Sequence, residues 1–80
     1  MTISSAVVEI RNGAGEAVLQ SLARIENVSV FGMKDNQIVA VIEDRDIWSI
    51  QDTMKKIYGI ENVVGVYPVY AGYQDEQEAG

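Results

Sequence analysis

Glu9 and Glu43 end two copies of one short word, Ala6-Val7-Val8-Glu9 and Ala40-Val41-Ile42-Glu43. Two carboxylates in matched surroundings can do two kinds of chemistry: share a proton in acid–base work, or receive cationic groups through charge-assisted hydrogen bonds. The rest of the composition favours the second. The 80-residue chain has no histidine, which removes the commonest general base and metal ligand, and no cysteine, which removes thiolate nucleophiles, thiolate metal sites and disulfides. The sequence therefore reads as a binding protein rather than an enzyme, with no metal and no cofactor.

The elements that must position these carboxylates follow from periodicity. Ile3 to Ile10 reads as a strand, with Val7 and Glu9 on one face and Ala6, Val8 and Ile10 on the other. After the breaker Asn12-Gly13-Ala14-Gly15, the residues Ala14, Val18, Leu22 and Ile25 recur at helical spacing, and Asn27 suits the left-handed turn that ends a helix. Val28 to Lys34 and Gln37 to Glu43 read as a hairpin around Asp35-Asn36. Asp46 is placed to cap a second helix that buries Ile47, Ile50, Met54 and Ile57, carries Lys55 and Lys56 in its last turn and stops at Gly59. Val63 to Tyr70 is the last strand, and Pro68 within it marks an edge position because proline donates no ladder bond.

A repeat supports this order. The Ala-Val-x-Glu word returns after 34 residues (6 to 40), and Ile25-Glu26-Asn27-Val28 returns as Ile60-Glu61-Asn62-Val63 after 35 (25 to 60). The fold class is thus α+β, a ferredoxin-like plait of order βαββαβ, whose four-stranded antiparallel sheet has both helices on one face. The first and third strands are expected to lie parallel at its centre. Residues 1–72 make one domain, and 73–80, acidic and rich in glutamine, make a disordered tail.

Two helices cover only one face of such a sheet. A charged side chain is costly under a helix layer, so Val7, Glu9, Val39, Val41 and Glu43 belong to the bare face. Period-two alternation adds Ser29, Phe31 and Met33, and Val64, Val66 and Tyr70. The expectation is an exposed apolar patch with Glu9 and Glu43 near one end of it, and such patches mark interfaces. A second copy of the chain, associating weakly through the same face, is the alternative occupant; solvated strand-end charge is the plainer reading of the glutamates.

A formal net charge of −6 disfavours nucleic acid and anionic membrane surfaces. The presumed central strands lack the aromatics on which an RNA-binding plait stacks bases, and the loop Arg11 to Glu16 lacks the Cys-x-x-Cys of a metal-transfer plait. No apolar run approaches the ~20 residues of a membrane span, and the N-terminus has no secretory pattern, so a cytoplasmic location without membrane insertion is expected.

Five stretches carry a likeness: Ser4-Ser5-Ala6-Val7-Val8 in the first strand, Asn36 to Glu43 in the third, the acidic Asp44-Arg45-Asp46, the closing Asn62-Val63 through Val69-Tyr70, and the tail Gln74 to Glu78. Taken in sum, these motifs resemble the NapD family of cytoplasmic chaperones for the periplasmic nitrate reductase. Glu26-Asn27 stands where family members commonly have Pro-Gly, and Ala71 where they tend to have histidine. The resemblance implies a partner: the twin-arginine signal peptide of the reductase catalytic subunit NapA, held while the molybdenum cofactor is inserted. Val7, Phe31, Met33, Val39, Val41, Val66 and Tyr70 would then take the apolar side of the peptide, and Glu9 and Glu43 its arginines. The rival is a dimeric, metabolite-sensing plait of the ACT or Lrp type, with Gly13 and Gly15 in the ligand loop.

Overall fold

A computed structural model describes residues 1–73, with side chains through Val69. The elements are β1 (Thr2–Ile10), α1 (Gly15–Ala23), β2 (Val28–Lys34), β3 (Gln37–Asp44), α2 (Ile47–Tyr58) and β4 (Val63–Tyr73), and the sheet order is β2-β3-β1-β4. This is the ferredoxin-like order read from the sequence. The expected tail from residue 73 lies, beyond Tyr73, outside the described residues; β4 itself continues through Ala71 and Gly72 to Tyr73, which pairs with Thr2.

The central pairing corrects the sequence reading: β1 and β3 run antiparallel, with Ala6 directly opposite Ala40. A right-handed crossover makes β1 and β2 parallel, and the tight hairpin then reverses β3 against both. Lys34 and Gln37 close that hairpin, with Asp35 at φ 57° supplying the left-handed residue that a two-residue turn requires.

Strict alternation along β1 buries Thr2, Ser4, Ala6, Val8 and Ile10 beneath the helices. From β3 come Ile38, Ala40 and Ile42, from α1 Val18 and Leu22, and from α2 Ile50 and Ile57. Each fully buried valine, leucine or isoleucine contributes roughly 1.5–3 kcal/mol, so this one layer carries most of the stability.

Caps and turns fix the helix ends. The Asp46 carboxylate accepts a hydrogen bond from the Ser49 amide at 2.8 Å, which caps α2 and holds the acid below the usual carboxylate range. Asn27 does not adopt the left-handed conformation expected of it; Asn62, its repeat partner, does, at φ 76°. Asn27 works through its side chain instead, donating to Asp44 Oδ2 at 2.9 Å and to Thr53 Oγ1 at 3.0 Å, while Thr53 donates on to the Ser49 carbonyl at 3.2 Å. That chain of bonds ties the α1–β2 loop to β3 and α2.

Candidate docking face of the sheet

Directly opposed residues of an antiparallel ladder share a face, so the register assembles the bare side row by row. One end row is Lys34, Gln37, Glu9 and Gly65, and the next is Gly32, Val39, Val7 and Tyr67. Then come Ser29, Val41 and Ser5, with the Tyr70 backbone paired to Ser5, and finally Glu43 and Ile3 beside the Gly72 backbone. Among the described residues, neither helix lies over these rows: Val39 stays 43% exposed while its neighbours Ile38 and Ala40 are fully buried.

Val7, Glu9, Val39, Val41 and Glu43 thus occupy the face to which the sequence assigned them. Their arrangement differs. Because β1 and β3 are antiparallel, Glu9 pairs with Gln37 and Glu43 with Ile3, so the carboxylates stand at opposite ends of the face. Gln37 and Glu43 are six residues apart on β3, about 20 Å of strand.

Two residues assigned to this face are turned the other way. A register shift between Val30 and Gly32 leaves Phe31 as an extra residue, after which alternation reverses and Met33 pairs with the buried Ile38. Met33 lies against the start of α1, its Sδ 2.9 Å from where a Cβ on Gly15 would stand. A second shift, between Glu9 and Ile10, leaves Val64 unpaired and turns Val66 towards the helices, opposite Val8 and against the core. Phe31 itself is 75% exposed. A third shift, which skips Val69, returns Tyr70 to the register of Ser5; its side chain lies outside those described.

The residue that alternation missed is Tyr67. It pairs with Val7, its hydroxyl donates to Glu9 Oε1 at 3.4 Å, and its ring lies across Gly65, where a Cβ would come within 2.5–2.7 Å of the hydroxyl and ring carbons. Glycine two residues before an aromatic on an edge strand is the signal that could have found it, since the ring covers the backbone that glycine leaves bare. Tyr67 puts an aromatic wall beside Val7 and Val39. Of the two loop glycines named for the metabolite-sensing alternative, Gly15 stands against the Met33 side chain, while Gly13 has nothing within 4 Å of where a Cβ would stand.

Among the described residues, no group of three or more acidic, histidine or cysteine side chains is placed to hold a metal, and no helix is long and apolar enough to cross a membrane. What the face offers is apolar contact over its middle rows and a carboxylate at each end.

The family model described as NapD protein matches residues 1–76. No curated protein matches the chain by sequence. Among solved structures, the solution structure of the E. coli Tat proofreading chaperone protein NapD matches with a TM-score of 0.80 at 20% identity, covering 98% of this chain and 84% of that one. At that identity the structural likeness speaks for the fold, while the family match spans nearly the whole sequence: the chain belongs to the NapD family.

Proposed function

We propose that this chain is a cytoplasmic Tat proofreading chaperone that binds the twin-arginine signal peptide of the periplasmic nitrate reductase catalytic subunit NapA. Binding withholds the precursor from export while its cofactor is inserted. The observation that carries this reading is the bare sheet face with exposed Val39 and Tyr67 between its ends and a glutamate at each end. A twin-arginine leader is an arginine pair followed by a moderately apolar segment, and as a helix it presents one apolar stripe. About 20 Å of strand accommodates roughly 13 residues of helix, enough for the arginine pair and the first turns of the apolar segment.

The protein has no catalytic part in this. Its work is steric and electrostatic: apolar side chains from Val7, Val39, Val41 and Tyr67 desolvate the leader, and carboxylates select for arginine. Family membership and the fold shared with the E. coli chaperone support the reading.

Titration calorimetry with a synthetic twin-arginine leader tests it. Saturable binding that is lost in Val39→Asp, and that weakens when both arginines of the leader are replaced by glutamine, is the expected result. A protein that ignores the leader, and sediments as a tight dimer closed through this face, would overturn it.

A further inference from the structure

The two ends of the bare face are chemically unequal, although the repeat makes them formal equivalents. At the Glu9 end, the cross-strand row contains Lys34, and Arg11 follows two residues along the chain. Glu9 also accepts the Tyr67 hydroxyl at 3.4 Å. A cation in the same row offsets part of the carboxylate's charge, and the phenol occupies one of its acceptor sites. At the other end, Glu43 is exposed, its row partner Ile3 is apolar, and among the described residues its carboxylate makes no side-chain hydrogen bond. Arg45 follows Glu43 by two residues just as Arg11 follows Glu9, so the arginines do not distinguish the two ends; the row lysine and the Tyr67 hydroxyl do.

The apolar contacts are unequal in the opposite sense. Val7, Val39 and Tyr67 share the row next to Glu9, whereas the row next to Glu43 presents Ser5 and Ser29 around Val41. The face therefore grades from an exposed acid with no lysine in its row, through hydroxyls, to an aliphatic and aromatic cluster.

Resting on the functional reading above, we infer that the leader lies on the sheet in one direction: its arginine pair at Glu43 and Ile3, its apolar segment running towards Val7, Val39 and Tyr67. A twin-arginine leader has the same polarity along its sequence, charge first and apolar residues after, so only this direction matches both gradients at once. From Ile3 to Val7 the strand advances about 13 Å, equal to roughly nine residues of helix, which brings the middle of the apolar segment over Tyr67. Glu43 is then the selector for arginine, and Glu9 a positioning residue for Tyr67.

Paramagnetic relaxation enhancement on the full chain tests the direction. A synthetic leader is spin-labelled either just before its arginine pair or at the end of its apolar segment, and backbone amide signals are compared. The first label is expected to broaden Ile3 and Glu43, the second Glu9 and Tyr67. The reversed pattern, or equal broadening of both ends by each label, overturns the direction while leaving the functional reading intact. Absence of any shift on the sheet overturns both. In parallel, Glu43→Gln is expected to weaken binding about three- to tenfold at low salt, and Glu9→Gln less than about twofold; equal losses contradict the assignment of the arginine pair to one end.

Discussion

Ala6 and Ala40 stand directly opposite one another at the centre of the β1–β3 ladder. They are also the first residues of the repeated word, so the local two-fold axis relating the two halves passes between them. Residues three further along each strand must then lie at opposite ends. Glu9 and Glu43 are those residues, and the bare face is acidic at both ends with its aliphatic rows between.

Gly65→Ala places a methyl group within 2.5–2.7 Å of the Tyr67 hydroxyl and ring, so the ring must lift off the sheet. Because Tyr67 is 53% exposed and its ring can swing into solvent, relief of that overlap is expected to cost less than about 1 kcal/mol in urea unfolding. The sharper readout is the upfield ring-current shift of the Gly65 α-protons, which should be lost in Tyr67→Ala. Gly65 α-proton shifts that do not change in Tyr67→Ala would mean that the ring does not rest on Gly65.

Thr53→Val removes the acceptor for the Asn27 amide and the donor to Ser49 in a buried position. The variant should be destabilised by about 1–2 kcal/mol, because Asn27 keeps only its bond to Asp44. A double-mutant cycle with Asn27→Ala should show the two effects to be less than additive. Full additivity would dissolve the network linking α2 to the β2 entry.

Val66 and Phe31 separate packing from exposure. Val66 packs on the core, and Val66→Ala is expected to cost about 1–2 kcal/mol; Phe31, 75% exposed, should tolerate serine within about 0.5 kcal/mol. Thermal unfolding of the two variants checks this. The reverse ranking would place Val66 on the bare face.

Asp46 sets an acid limb of stability. The Ser49 amide hydrogen bond lowers its pKa in the folded state from the ordinary 3.8, so the carboxylate's contribution is fully present above that value and is lost as pH falls through the lower folded value. Asp46→Asn keeps a capping oxygen but not the charge. Its stability should fall below that of the parent at neutral pH, and the gap should close below pH 3.8 in urea titrations. A gap that stays constant with pH would remove the ionised cap.

The element order, the hairpin, the Asp46 cap and the buried face of β1 are all carried by signals local to a few residues: alternation, a two-residue turn, a capping acid. Strand direction is not local. The Ala-Val-x-Glu repeat is compatible with parallel or antiparallel neighbours until the crossover and the hairpin are counted together, and the parallel choice put the two glutamates at one end. Bulges are equally invisible to a period of two. The extra residues at Phe31 and Val64 each reverse the alternation that follows, which is why Met33 and Val66 face the helices and Tyr67 takes the position on the bare face. The skip at Val69 reverses it again, so the register assigned to Tyr70 survives.

The most direct test of the docking face is a titration of the isotopically labelled chain with a synthetic twin-arginine leader, followed through backbone amide shifts. Shifts are expected to concentrate on Ser5, Val7, Val39, Val41, Glu43 and Tyr67, with the outer surface of α2 around the exposed Trp48 and Tyr58 unmoved. Shifts centred on Trp48 and Tyr58, with the sheet rows silent, would contradict it.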